Sequence, residues 1–211
     1  MTVDTKFLDD LASPAPTPGG GGASAYAGAL AAALASMVGN LTVGKERYAA
    51  VEGDVRMSLQ RLDDLRARLT ALVDEDSRAF APLAASYRMP ATTSEEAAAK
   101  ESAMQDALKG ACDVPLDIMR CCLQVIEECD YLARNGSKMA VSDAGAGAII
   151  AQAALHAASL NVYINAASMN DAELAKRYEA DADDLRAWGS TSAHAVSSFV
   201  EGALRKETAQ G

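Results

Sequence analysis

The sequence predicts an all-α fold, a single-domain helical bundle with two long uncharged central helices. Of the 211 residues, 50% are apolar but only 5% are aromatic, and alanine is very abundant. Strands favour alternating β-branched and aromatic residues, and no such stretch stands out. Two runs, 11–44 and 144–170, carry no charged residue, which is typical of helices in the middle of a bundle.

Proline and glycine predict the N-terminal elements. A short helix is expected over 4–12, and three prolines followed by four glycines should keep 13–22 out of any helix. The first uncharged helix is then expected from about 23 to 43. It is long enough to span a membrane, but its Ala, Gly and Ser side chains gain little from lipid. A place in a bundle core is therefore favoured.

Two amphipathic helices are expected next, over roughly 46–88 and 94–134. Pro82 and Pro115 lie inside them and should kink them. The second of these helices should end at Asn135-Gly136, because both residue types favour helix C-termini.

The second uncharged helix is expected to begin at Ser142 and Asp143, which are good capping residues. A last helix is expected over about 171–206, followed by a frayed tail at 206–211. No internal repeat is visible, so the prediction is one domain spanning 1–211.

Charge and cysteine content narrow the classes of function. The net charge of -10 argues against nucleic-acid and anionic-membrane partners, because both need a basic surface. The four cysteines and two histidines show no metal-binding spacing, so we expect no metal and buried thiols in a reducing cytosol. The N-terminus lacks the basic and apolar regions of a signal peptide. A cytoplasmic location is therefore expected.

One carboxylate interrupts an apolar stripe. Helical spacing places on one face Leu62, Leu65, Leu69, Leu72, Val73, Phe80 and Leu83. Asp76 falls in the middle of this stripe, where an unpaired carboxylate is costly. Either it pairs with a base or caps another helix, or it is a pocket carboxylate with an altered pKa. The uncharged central helices supply no basic partner for the first interpretation.

Four consecutive glycines, Gly19, Gly20, Gly21 and Gly22, come just before the first uncharged helix. Free backbone N–H groups at such a position favour an anion. The run matches neither glycine-rich nucleotide motif and follows no predicted strand. A flexible hinge is the alternative interpretation.

Further candidates lie at the two uncharged helices. Ser142 and Asp143 suit a helix N-terminus, which alone would explain them. Asn161 and Asn165 lie one turn apart on the face that carries Asp143, and buried carboxamides need partners on another helix or on a heterocycle. Lys45 is the only cation next to the first uncharged helix, although a lysine there also offsets the helix dipole.

Several segments taken together carry a resemblance. They are 7–13 (FLDDLAS), 17–21 (TPGGG), 28–34 (GALAAAL), Met37-Val38, 41–45 (LTVGK), Glu75-Asp76, Ala79-Phe80, Ser142-Asp143 and 161–165 (NVYIN). Across nearly the whole chain this combination resembles the formimidoyltetrahydrofolate cyclodeaminase and methenyltetrahydrofolate cyclohydrolase family. The resemblance implies an all-helical homodimer that acts on tetrahydrofolate one-carbon substrates without a metal or nucleotide.

The chain departs from the family pattern at one position. The family usually has serine directly after the three loop glycines, whereas this chain has Gly22, with Ser24 two residues later. Ser24 can take over a role for that hydroxyl only if the loop shifts.

The resemblance implies one of two reactions. In the cyclohydrolase reaction, water attacks the bridging carbon of 5,10-methenyltetrahydrofolate and gives 10-formyltetrahydrofolate. In the cyclodeaminase reaction, N10 attacks the formimino carbon of 5-formiminotetrahydrofolate and ammonia leaves. We favour the cyclohydrolase, because the chain stands alone without a formiminotransferase domain. A non-catalytic folate-binding protein and a purely structural bundle are the alternatives from other classes.

Neither reaction needs a permanently bound cofactor or a covalent enzyme nucleophile. Proton transfer is assigned to Asp76, and Asp143 is expected to hold the cationic amidinium or the pterin ring. Lys45 should contact the anionic tail of the substrate or assist proton transfer. Substrate binding is expected of Gly19, Gly20, Gly21, Gly22, Ser24, Ser142, Asn161 and Asn165. The two aspartates are expected in one pocket, within a chain or across a dimer.

Overall fold

The computed structural model describes residues 5–208, which form six α-helices and two short 3-10 turns. The helices are α1 Lys6–Leu11, α2 Gly20–Asn40, α3 Glu52–Tyr87, α4 Ser94–Asn135, α5 Val141–Ala166 and α6 Ala172–Thr208, and the turns are Glu46–Val51 and Lys138–Ala140. No strand occurs between residues 5 and 208, so the predicted all-α class is confirmed.

Helix α4 packs against α2, α3, α5 and α6. The two uncharged helices, α2 and α5, run antiparallel and touch through small residues. A Cβ added at Gly147 of α5 would lie 3.2 Å from the carbonyl oxygen of Ala31 on α2. This close approach leaves the start of α2 beside the end of α5, where Gly20 faces Asn161.

The apolar stripe of α3 is buried as predicted. Leu62, Leu65, Leu69, Leu72 and Leu83 are buried, whereas Val73 and Phe80 are half-buried. Farther along the same interface, Glu128 of α4 accepts hydrogen bonds from Ser58 at 2.6 Å and from Arg61. This polar contact fixes how α3 and α4 lie against each other, because a buried carboxylate must keep its partners.

Three predicted helix starts are wrong. The helix expected from 46 begins at Glu52, after the 3-10 turn Glu46–Val51. Gly20, Gly21 and Gly22 form the first turn of α2, because tertiary contacts there outweigh the poor helix propensity of glycine. Ser142 is not an N-cap: α5 continues directly from the turn before it, Ala140 occupies the cap position, and Ser142 is exposed inside the first turn. Helix α4, by contrast, begins at a capping box in which Thr93 and Glu96 exchange hydrogen bonds.

At the other end of the chain, α6 extends through Thr208. Residue 4 of the first expected helix, and 209–211 of the expected tail, lie outside the described residues. Pro82 and Pro115 lie inside continuous helices. Gly136 follows α4 as expected, but with a φ of -86° rather than a left-handed conformation.

By length and composition, α2 and the segment Lys138–Ala166 are each apolar enough to cross a membrane. The core helices of soluble proteins meet the same criterion. In this bundle 61% of the most apolar stretch of α2 and 44% of that in Lys138–Ala166 are buried.

Candidate active site

A cavity of about 370 Å³ opens where the start of α2, the last third of α3 and the end of α5 meet. Its volume lies within the range of about 300–1,000 Å³ that is usual for small-molecule sites. Glycines of α2 form one side and carboxamides of α5 another, while α3 contributes a carboxylate and two aromatic rings. Six of the candidate site residues from the sequence line this cavity: Gly19, Gly20, Gly21, Asp76, Asn161 and Asn165.

Asp76 is the one charged side chain among the described residues that line the cavity. Its Oδ2 accepts a hydrogen bond of 2.9 Å from the backbone N–H of Gly22. Its Oδ1 receives no hydrogen bond from the part of the chain that the structure describes. Burial raises the pKa of Asp76, and the hydrogen bond from Gly22 lowers it by less. The carboxyl group therefore exchanges its proton closer to neutral pH than an ordinary aspartate.

Asp76 fits both of the roles considered from the sequence, a cap for another helix and a pocket carboxylate. Its carboxylate satisfies a backbone donor in the first turn of α2, as a cap for another helix would. It also faces the cavity, as a pocket carboxylate would. The partner is a backbone N–H group of glycine rather than a basic side chain, so no cation in the sequence marks it.

The carboxamides on α5 are oriented by backbone carbonyl groups. Asn165 donates its Nδ2 hydrogen to the carbonyl oxygen of Ala111 on α4 at 2.7 Å. Asn161 donates in the same way to Ala157, one turn earlier on its own helix, at 3.3 Å. One N–H of each carboxamide is engaged in this way, so the Oδ1 acceptor and the second N–H remain for a ligand.

Phe80 and Tyr87 also line the cavity, and they were not assigned to the site from the sequence. They follow Asp76 by four and eleven residues, so all three project from the same face of α3. Phe80 already belongs to the apolar stripe predicted from the sequence, and extending that stripe by one more turn would have identified Tyr87. Pro115 of α4 lines the cavity as well, although the sequence suggested only a kink at that position.

The remaining candidate residues do not line the cavity. Asp143 lies about 27 Å from Asn161 along α5, because 18 residues separate them at 1.5 Å each. Ser142 lies beside Asp143, and Lys45 follows the far end of α2. Ser24 is buried and donates its hydroxyl hydrogen to the Gly20 carbonyl at 2.6 Å. Gly22 contacts Asp76 but does not line the cavity.

The side chains that could ligate a metal ion are dispersed over the described residues. Between residues 5 and 208, no three His, Cys, Asp or Glu side chains lie close enough together to hold a metal ion. Cys112, Cys122 and Cys129 are free and buried, and Cys121 is half-buried. Burial raises the pKa of both Cys112 and Cys129 to about 12, so these thiols stay protonated.

Comparison with known proteins identifies relatives over most of the chain. Residues 4–184 match the family described as formiminotransferase-cyclodeaminase. A methenyltetrahydrofolate cyclohydrolase of Methylorubrum extorquens is 46% identical over 175 residues, which cover 83% of this chain and 84% of the relative. A formimidoyltransferase-cyclodeaminase of Rattus norvegicus is 33% identical over 78% of this chain, which spans 30% of that protein's length.

A solved structure agrees with both sequence matches. The crystal structure of formiminotetrahydrofolate cyclodeaminase from Thermotoga maritima superposes with a TM-score of 0.85 at 29% identity, and the alignment covers 96% of this chain and 98% of that one. The family expected from the sequence segments is thereby confirmed. The chain belongs to the formiminotransferase-cyclodeaminase family.

Proposed function

We propose that this protein is an enzyme of tetrahydrofolate one-carbon metabolism that hydrolyses 5,10-methenyltetrahydrofolate to 10-formyltetrahydrofolate. The observation that carries the proposal is the position of Asp76, the one charged side chain among the described residues that line the cavity. The methenyl substrate carries a positive charge on its amidinium carbon, and a half-buried carboxylate with no competing cation attracts such a charge. The Methylorubrum relative, which bears the name of this activity, supports the same choice.

Asp76 is assigned the proton transfers. Its carboxylate accepts a proton from the water that attacks the amidinium carbon. The same group then protonates N5 as the bond from carbon to N5 breaks, while the hydroxyl proton leaves to solvent and the formyl C=O forms. A carboxyl group with a raised pKa suits both directions of transfer, because it holds a transferred proton more readily than an ordinary aspartate does.

The remaining lining residues are assigned to binding. Gly19, Gly20 and Gly21 let the substrate approach the backbone at the start of α2, where N–H groups favour electron-rich atoms. Phe80 and Tyr87 offer ring faces against which a flat heterocycle can stack. No permanently bound cofactor is required for this chemistry.

We propose further that the chain forms a homodimer through the uncovered faces of α2 and α5. These faces expose Leu30, Met37, Ile149 and Leu160 by 41% or more, and an apolar surface of this kind is characteristic of a protein interface. In an antiparallel dimer, Asp143 and Lys45 of one chain would approach the cavity of the other. Neither side chain has an ion pair or hydrogen bond to the residues that the structure describes, which leaves both available for a substrate.

Formimidoyltetrahydrofolate cyclodeaminase activity is the second candidate. It is favoured by the solved Thermotoga structure, which bears that name and matches this chain over nearly its full length. Both reactions pass through a tetrahedral carbon between N5 and N10, so one arrangement of carboxylate and carboxamides serves either substrate. A cytoplasmic location is proposed in both cases.

A paired assay tests the proposal. Purified protein is mixed with 5,10-methenyltetrahydrofolate and the loss of its near-ultraviolet absorbance is followed, with ammonia release from 5-formiminotetrahydrofolate measured in parallel. Accelerated loss of absorbance supports the cyclohydrolase, whereas ammonia release alone supports the cyclodeaminase. Tight binding of either folate without turnover would identify a non-catalytic folate-binding protein instead. The Asp76→Asn variant and buffer alone serve as the blanks for spontaneous hydrolysis.

A further inference from the structure

Pro115 lies one helical turn after Ala111 in α4, and both residues line the cavity. In an α-helix the carbonyl of residue 111 accepts a hydrogen bond from the N–H of residue 115. Proline has no N–H group, so Pro115 cannot supply this bond, and its ring pushes the carbonyl away from the helix axis. The Ala111 carbonyl is therefore free to accept a hydrogen bond from a group outside its own helix.

Asn165 of α5 supplies that hydrogen bond. Its Nδ2 lies 2.7 Å from the Ala111 oxygen, and because a carbonyl only accepts, the facing atom must be the NH₂ group. The contact thus fixes which way the carboxamide is turned. Its Oδ1 receives no hydrogen bond from the described residues, and the side chain lines the cavity.

We propose that Pro115 and Asn165 form one device for substrate recognition, in which the carbonyl freed by Pro115 holds Asn165 with its Oδ1 acceptor toward the bound ligand. This inference rests on the proposed function and names the part of the substrate that is recognised. A pterin ring carries adjacent N–H donors, on its 2-amino group and at N3. Asn161, one turn away, donates one N–H to Ala157, and its Oδ1 offers a second acceptor for the same edge.

A purely structural role for Asn165 makes a different prediction. The carboxamide would then only satisfy a buried carbonyl, and its removal would lower stability without changing substrate affinity. Giving residue 115 an N–H group would repair that loss completely. Stability and substrate affinity therefore separate the two roles when Pro115 and Asn165 are changed singly and together.

The experiment compares Asn165→Ala, Pro115→Ala and the double variant in melting temperature, KM and kcat with 5,10-methenyltetrahydrofolate. We expect Asn165→Ala to lower Tm and to raise KM about tenfold, the equivalent of one lost hydrogen bond, with a smaller change in kcat. In the double variant Tm should recover while KM stays raised. Pro115→Ala alone should keep or raise Tm and still raise KM, because the carbonyl returns to its helix and releases Asn165.

Asn135→Ala is the matched control, since Asn135 also donates to a helix carbonyl, that of Tyr131, but lies away from the cavity. Its KM should equal that of the wild type. An unchanged KM in Asn165→Ala, or a KM restored to the wild-type value in the double variant, overturns the inference. A wild-type protein that turns over neither folate contradicts the proposed function instead, so the two failures are distinct.

Discussion

Gly21 lies so close to Asp76 that no side chain fits between them: a Cβ added at Gly21 would be 2.0 Å from Asp76 Oδ1. Real Cβ atoms stay beyond 3 Å from such neighbours. The obstacle is the carboxylate itself, which Gly22 holds in place through its backbone N–H. Gly21 is therefore required by the approach of α3 to α2 rather than by any need for a flexible hinge.

Gly21→Ala should displace the Asp76 carboxylate by more than 1 Å. Misplacing a catalytic group by about 1 Å can cost about 100-fold in rate, so we expect a loss of that order in kcat/KM. Gly22→Ala is the matched control, because its added Cβ would meet the Val73 carbonyl at 3.5 Å, an ordinary contact, and the N–H to Asp76 remains. Equal activity in the two variants would contradict a positioning role for Gly21.

Asp76→Asn keeps the shape of the side chain and its contact with Gly22 but removes its titration. We expect turnover to fall by about two to four orders of magnitude, the usual contribution of a positioned acid–base group. Asp74→Asn on the exposed face of α3 provides the control and should retain full turnover. The assignment fails if Asp76→Asn is as active as the wild type.

The raised pKa of Asp76 predicts the acid limb of the pH profile. Attack by water requires the ionised carboxylate, so kcat/KM should fall as pH decreases through the pKa of Asp76 in the free enzyme. Because burial raises that pKa, the fall should begin at a higher pH than the ordinary aspartate value of about 3.9 would give. A profile that stays flat down to pH 4 would show that Asp76 does not act as the base.

The same shift predicts an effect of Asp76 on stability. A carboxyl group whose pKa is raised by folding binds its proton more tightly in the folded state, so ionisation destabilises the fold. This penalty is present above the raised pKa and disappears as pH falls below the unfolded value. Melting temperatures should therefore be higher for Asp76→Asn than for the wild type at pH 7, and the two should converge near pH 3. A lower melting temperature for the variant at pH 7 would contradict this balance.

Periodicity was enough to find Asp76 in the sequence, because a helix of regular pitch makes one polar residue in an apolar stripe visible. The Gly22 contact could not be found that way. It joins residues 54 positions apart, and the donor is a backbone group that carries no sequence signature. The start of α2 at Gly20 was missed for the same reason, since tertiary contacts there override the low helix propensity of glycine.

The capping preference of serine also predicted the wrong start for α5. Ser142 has the right chemistry for a cap, but the turn Lys138–Ala140 leads directly into the helix and leaves the hydroxyl exposed. Asn161 and Asp143 share a helix face, which the sequence predicts correctly, yet they lie five turns apart. Two residues on the same helix face need not line the same pocket. Within one chain, the distance along α5 keeps Asp143 out of the cavity that Asn161 lines.

The proposed dimer has a simple test on its apolar face. Leu30→Glu places a charge on the exposed side of α2 and should convert a dimer into a monomer in light scattering at micromolar concentration. Met57→Glu is the control, since Met57 is 54% exposed on α3 and lies outside the proposed interface. A wild-type protein that scatters as a monomer would remove the basis of the interface.

Lys45→Met tests the cation beyond the end of α2. If Lys45 of one chain contacts the anionic tail of a folate bound to the other, the variant should raise KM while its melting temperature changes little. A change in melting temperature alone would reduce Lys45 to a charge that offsets the helix dipole. Lys138→Met, in the turn Lys138–Ala140, removes an exposed cation and serves as the control.

Subunit mixing tests whether Asp143 acts on the cavity of its partner. Asp76→Asn and Asp143→Asn proteins, each with reduced activity, are unfolded together and refolded as mixed dimers. If each cavity uses its own Asp76 and the partner's Asp143, every mixed dimer contains one cavity with both aspartates intact. Random pairing should then restore about one quarter of the wild-type sites. Sites completed within one chain would give no recovery, because each chain still lacks one of its two aspartates. Full activity in Asp143→Asn alone would remove Asp143 from the site altogether.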